Sequence, residues 1–183
     1  MQKIETPLVG CYIIEPKVFG DDRGWFYESY SKQGFAEIGI DTVFVQDNRS
    51  FSANEGTLRG LHCQTDPAAQ TKLICCTRGV LLDVAVDVRE GSPSYMQHVC
   101  VELSAQNRRM LYIPKGFLHG FVTRTPNVEV FYKVDAFYCP DHDRSVRYND
   151  PAFGIDWGMD TPILSKKDSN NLPFAETDIR FFY

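Results

Sequence analysis

No apolar run in this 183-residue sequence approaches the roughly 20 residues that a membrane-spanning helix needs. The opening residues, Met1-Gln2-Lys3-Ile4-Glu5-Thr6-Pro7, lack the long apolar core of a signal peptide. Together these absences predict a cytoplasmic protein with no membrane partner. A basic excess is missing too. Nineteen Lys and Arg stand against 24 Asp and Glu, a net charge of -5. That balance argues against generic nucleic-acid binding, which needs a basic face. An anionic ligand would require a locally basic pocket.

Metal and nucleophile signatures are equally scarce. The six cysteines, Cys11, Cys63, Cys75, Cys76, Cys100 and Cys139, form no CxxC pair and no zinc-ligand spacing. Most sit within apolar alternation and read as reduced core residues. Cys63, beside His62, is the one candidate nucleophile. The only histidines are His62, His98, His119 and His142, with no HxH or HxxxH pair among them. A metal would need a further ligand from Asp, Glu or Gln, so none is expected. Nucleophile-elbow, phosphate-loop and dinucleotide motifs are all absent.

What is present is a ring-rich globular chain, 43% hydrophobic and 13% aromatic. Its length predicts one domain, residues 1–183, burying about 70% of its unfolded surface. Strand-like stretches run at Val43–Gln46, Leu58–Gln64, Lys72–Thr77, Val80–Val88, Tyr95–Leu103, Arg109–Ile113, Leu118–Thr123 and Val128–Asp135. Turn residues such as Arg78-Gly79, Glu90-Gly91-Ser92-Pro93, Pro114-Lys115-Gly116 and Pro126-Asn127 separate them. This spacing predicts a sandwich or barrel. One helix is expected near Ser31–Glu37, with Ser31 as its cap and Gly39 as its stop. Ser165-Lys166-Lys167-Asp168 can open a short helical turn.

Period two is clearest in Val80–Val88. Leu82, Val84, Val86 and Val88 share one face, while Leu81, Asp83, Ala85 and Asp87 share the other. The carboxylates suggest that the second face lines a polar cavity; a solvated outer face is the alternative, above all for Asp87. Arg59, His62, Lys72, His119, Tyr132 and Tyr138 also interrupt apolar stretches. Histidine titrates near neutrality, which makes His62 and His119 candidate proton acceptors. A buried histidine is more often a hydrogen-bonded core residue, so the histidines alone do not decide. Tyr132 and Tyr138 share parity and face one cavity if the strand runs regularly between them. Arg59 and His62 have opposite parity, so both point inward only if Gly60 marks a bulge.

Taken together, Pro16–Gly24, Phe26–Tyr30, Val45–Asn48, Leu58–Gln64, Lys72-Leu73, Asp83–Arg89, Ile113–Phe121, Tyr132-Lys133, Asn149–Pro151 and Leu164–Asp168 make the chain recognisable. It resembles the dTDP-4-dehydrorhamnose 3,5-epimerases, a cupin-type family, from Leu8 to about Pro173. The resemblance implies an all-β double-stranded β-helix, a jelly-roll sandwich with a few short helices. It also implies inversion of C3 and C5 of dTDP-4-dehydro-6-deoxy-D-glucose, in dTDP-rhamnose biosynthesis.

By the same matching, His62 is the base, Asp168 holds its ring, and Tyr132 is the acid on the opposite face of the sugar. Lys72 and His119 are polar pocket residues; the chemistry calls for a cation such as Lys72, or a donated hydrogen bond, aimed at the C4 ketone oxygen. Arg23, Glu28, Gln46, Asn48 and Arg59 contact the nucleotide, Tyr138 stacks on thymine, and Lys167 and Asp143 complete the substrate set. Asp143 stands where relatives usually carry Glu, and Arg124-Thr125-Pro126 replaces a more apolar loop. No cofactor is implied, because the reaction involves no redox change. The implied partners are a dTDP-sugar and a second copy of the chain, whose N-terminal segment, with Arg23 and Glu28, crosses over. A single-centre epimerase or a 3,4-ketoisomerase is the nearest rival. A non-catalytic nucleotide-sugar-binding jelly roll is a further one.

Overall fold

A computed structural model describes all residues, Met1–Tyr183. Its first strands are β1 (Gln2–Glu5), β2 (Tyr12–Glu15), β3 (Val18–Asp21) and β4 (Gly24–Tyr27). Helix α1 (Lys32–Glu37) follows, then β5 (Gln46–Ser52), β6 (Leu58–Gln64), β7 (Lys72–Arg78) and β8 (Val80–Asp87). Next come β9 (Arg89–Glu90), β10 (His98–Ser104), β11 (Met110–Ile113), β12 (Phe117–Thr123) and β13 (Val128–Val134). β14 (Asp143–Ser145) and β15 (Phe181–Phe182) close the chain.

Two sheets carry the architecture. One has six strands in the order β1-β2-β11-β7-β13-β5, the other five in the order β10-β8-β12-β6-β14. Every pairing within them is antiparallel. Among the strands only β9 and β15 pair in parallel, and one isolated parallel bridge joins Thr57 to Ile163. β3 and β4 form a separate hairpin. The result is a cupin-type jelly-roll sandwich, as the resemblance implies. No helix is long and apolar enough to cross a membrane.

Apolar side chains fill three layers rather than one. Ile74, Cys76, Leu81, Ala85, Leu111, Phe121 and Val130 pack between the sheets. Leu61, Cys63, Val84, Val86, Leu118 and Val122 lie on the far side of the five-stranded sheet. The C-terminal segment covers them with Phe153, Trp157, Phe174 and Ile179. Ile14, Leu73 and Met110 lie behind the six-stranded sheet under Phe35 of α1. Each fully buried Leu or Ile contributes roughly 1.5–3 kcal/mol of transfer free energy.

This layering corrects the expectation for β8. Its second face is core as well, because Leu81 and Ala85 are fully buried between the sheets. Asp87 neither lines a cavity nor meets solvent. It is fully buried and accepts hydrogen bonds from Arg89, Ser92 and Ser94, which tie down the loop after β9. That loop delays β10, so the strand expected from Tyr95 begins at His98.

The N-terminal strands β1 to β4 had no counterpart in the sequence reading. The strand expected at Val43–Gln46 starts where that stretch ends. Phe44 packs instead on Tyr30 beside α1, while Val43 and Val45 are exposed. β5 is an edge strand with one neighbour, and its Gln-Asp-Asn-Arg-Ser sequence is polar on both faces, which hides its alternation. The helix follows expectation: Ser31 caps α1 by accepting from Gly34 N at 3.3 Å, and Gly39 turns the chain away at φ +79°.

Candidate active site

A cavity of about 300 Å³ opens at one end of the gap between the two sheets. The five-stranded sheet supplies Arg59 and His62 from β6 and His119 from β12. From the six-stranded sheet come Ser50 of β5, Lys72 of β7 and Tyr132 of β13. The turn after Leu164 closes one side with Ser165, Lys167 and Asp168.

Ladder register explains why these residues meet. His119 stands opposite His62 across the β12–β6 pair. Lys72, Ile74 and Cys76 alternate toward the gap on β7, while Tyr132 and Val130 do so on β13. Arg59 and His62 both reach the cavity because the β12–β6 register shifts between His119 and Phe121. Glycine makes that shift fit. A Cβ on Gly60, at φ +132°, would lie 2.5 Å from Gly120 Cα, and one on Gly120 would lie 2.9 Å from the Arg59 carbonyl oxygen.

His62 Nε2 donates to Asp168 Oδ1 at 2.6 Å. That bond fixes the tautomer and leaves the lone pair on Nδ1. Asp168 is 5% exposed, and burial pushes its carboxyl up. The His62 hydrogen bond and charge, the Ser165 hydroxyl and the Lys167 charge outweigh burial, so the carboxyl ends below its ordinary value. His119 Nε2 meets the fully buried Asp83 at 2.7 Å. Burial nevertheless holds the His119 ring below its usual range, Asp83 opposing and Lys72 reinforcing the shift. His119 is therefore a neutral polar group at pH 7.

Burial also lowers the Lys72 ammonium, partly offset by the nearby Cys63, Asp143 and Asp83. The phenol of Tyr132 is pushed up by burial and so stays protonated at neutrality. Arg59 donates to Ser52 Oγ and the Phe51 carbonyl, and no carboxylate neutralises it. An acidic chain thus presents a locally basic cavity.

Not every expected residue lies on this wall. Gln46 donates to Asn48 Oδ1 at 2.8 Å on β5, beyond the cavity lining. Tyr138 is 58% exposed, because β13 ends at Val134 and the parity argument fails beyond it. Its backbone N–H donates to Gln46 Oε1 at 3.3 Å, which keeps it near that pair. Asp143 is bound to Lys167 at 2.6 Å and faces a neighbouring surface hollow. Arg23 and Glu28 are exposed near the β3–β4 hairpin, Arg23 against Asp21, and neither lines the cavity.

Cys63 points into the core behind β6, and burial pushes its thiol up to about 12, so it is not a thiolate nucleophile. No three His, Cys, Asp or Glu side chains are grouped to hold a metal ion. Ser50 and Ser165 were not among the expected site residues. The Gln46, Asn48, Ser50 alternation and the Ser-x-x-Asp spacing of Ser165 and Asp168 were the available signals.

A jelly-roll sandwich that sets a carboxylate-bound histidine on one sheet against a protonated phenol on the other is a cupin-type fold equipped for proton transfer. The family model for dTDP-4-dehydrorhamnose 3,5-epimerase matches residues 5–176. A Pseudomonas aeruginosa enzyme of that name is 49% identical over 180 residues, covering 97% of this chain and 98% of its own. The Bacillus anthracis enzyme with TDP and PPi bound superposes with a TM-score of 0.93 at 48% identity, over 94% of this chain and 99% of that one. A Legionella pneumophila epimerase in complex with dTDP-4-keto-L-rhamnose gives 0.94 at 41% identity, over 100% and 98%. The chain belongs to the dTDP-4-dehydrorhamnose 3,5-epimerase family and is an isomerase.

Proposed function

We propose that the protein inverts C3 and C5 of dTDP-4-dehydro-6-deoxy-D-glucose to give dTDP-4-dehydro-L-rhamnose, as one epimerase domain spanning 1–183. The observation that carries this reading is the placement of His62–Asp168 and Tyr132 on opposite walls of one cavity. A base and an acid on the same face would return the proton to the side it left. From opposite faces they invert the centre.

Protons beside the C4 ketone are acidic enough for histidine only if the enolate is stabilised. Lys72, half-buried in the cavity wall, donates to the developing oxyanion, and one such donor supplies about 3–4 kcal/mol. His62 takes the proton at Nδ1, and the ionised Asp168 stabilises the imidazolium. The Tyr132 hydroxyl then protonates the other face. No electron changes hands, and the groups named need no cofactor. Arg59, which has no carboxylate partner, is the cation available to the substrate diphosphate, with Lys167, paired to Asp143, beside it.

Turnover of dTDP-4-keto-6-deoxyglucose in deuterated water tests the reading. Deuterium at both C3 and C5 of an inverted product is expected. Label at one centre would assign a single-centre epimerase instead, and no label would assign a binding protein.

A homodimer with shared sites is part of the proposal. Val18, Phe19, Trp25 and Phe26 of the β3–β4 hairpin are 39–66% exposed, an apolar surface that a partner would cover. Arg23 and Glu28, which the family resemblance assigns to the nucleotide, sit beside that surface and away from their own cavity. Light scattering should give about twice 20.9 kDa. An active monomer would overturn the shared site. Six free thiols fit a reducing compartment, and the cytoplasm is the proposed location.

A further inference from the structure

Asp168 has two carboxylate oxygens, and His62 accounts for only one of them. The other, Oδ2, accepts a hydrogen bond from Ser165 Oγ at 2.8 Å. The same hydroxyl oxygen accepts from Asp168 N at 3.0 Å, closing a reciprocal pair across three residues. Ser165 O also accepts from Ser169 N at 3.0 Å, so Ser165 anchors the turn that presents the carboxylate. The remaining side-chain contact to the carboxylate is Asn171 Nδ2 on Oδ1, at a long 3.5 Å.

We propose that Ser165 is a positioning residue for the epimerisation, locking the plane of the Asp168 carboxylate and through it the tautomer and aim of the His62 ring. The inference rests on the reading of His62 as the base. With one oxygen on His62 and the other on Ser165, the carboxylate cannot rotate without breaking a charge-assisted bond. Without the hydroxyl, Oδ2 would be an ionised oxygen in a nearly water-free site with no protein donor. The carboxylate would then rotate or bind a proton more readily, and either change loosens the imidazole.

Ser165→Ala is expected to lower kcat about 10- to 100-fold, the worth of one hydrogen bond to a charged group. KM should move less than about twofold, because diphosphate contacts are untouched. Ser165→Thr retains the hydroxyl and should recover most of the loss. The ring N–H proton of His62, shifted downfield by its bond to Asp168, should broaden or move in Ser165→Ala and not in Ser165→Thr.

A double-mutant cycle separates positioning from mere structure. In an Asp168→Asn background, Ser165→Ala should have little further effect, since the two act through one carboxylate. Full additivity, or wild-type kcat in Ser165→Ala, would overturn the proposal. Should Ser165→Ala fail to fold, Ser165→Cys, of similar size but a weak donor, carries the same comparison. His62→Ala run alongside keeps the two readings apart. If it stays active the base assignment fails, and if it is inactive while Ser165→Ala is normal only the role of Ser165 fails.

Discussion

His62→Ala is expected to abolish epimerisation and, with it, deuterium exchange at both C3 and C5. Loss of the proposed base would prevent the carbanion, so neither the forward inversion nor a futile return of the proton would occur. The fall should be about ten-thousandfold or to background, the upper range for a positioned general base. Truncation has a structural side effect, because Asp168 would lose its close donor on Oδ1 while only 5% exposed. His62→Asn is the companion variant. Its amide can keep a donor near Oδ1 yet offers no basic lone pair. Both variants should be inactive and folded by circular dichroism, with His62→Asn the more stable.

Asp168→Asn should lose nearly as much. The substituted amide no longer stabilises the imidazolium and can drive the ring into the wrong tautomer. The corresponding change in a serine-protease triad costs about ten-thousandfold in kcat. Retained exchange at either centre in a folded His62→Ala protein would move the base to another group, and His119 would be the first to test.

How much of this was legible in the sequence depends on which interaction set each position. Strand parity is a local property, so the opposite parities of Arg59 and His62 called for a bulge at Gly60 if both were to point inward, and the ladder has one. Ser31 and Gly39 likewise bracket α1 by local capping chemistry. What lies outside local pattern was not readable. β8 looked half polar, but layers on both sides bury it, and its two carboxylates serve different ends. Asp83 holds His119, whereas Asp87 ties down a loop. Alternation alone cannot separate those fates, because each depends on partners far away in the chain.

Tyr138 falls outside the parity argument for a related reason. Parity counts hold only while the strand continues, and nothing local announces that β13 stops at Val134. The polar strand β5 was invisible because an edge strand beside a polar cavity needs no apolar face. Ser165 was visible as the start of a turn. Its second role, holding Asp168, emerges only when His62 is found on the other oxygen.

Tyr132→Phe should separate the two proton transfers. Removing the phenol oxygen takes away the proposed donor to the second face but leaves His62, Asp168 and Lys72 in place. The carbanion can still form, and the proton can still return from the side it left. The His62 side chain is 31% exposed, enough to trade its proton with solvent between departure and return. Deuterium should therefore enter with retention while inversion falls at least about a hundredfold, the lower range for a general acid. Folding should be unaffected, because the Tyr132 hydroxyl makes no hydrogen bond within the chain, so none of its neighbours loses a partner. Proton NMR of the sugar ring in deuterated water reports exchange and configuration in one spectrum. Inversion at the wild-type rate in a folded Tyr132→Phe protein would remove Tyr132 from the mechanism and leave a bound water as the second-face acid.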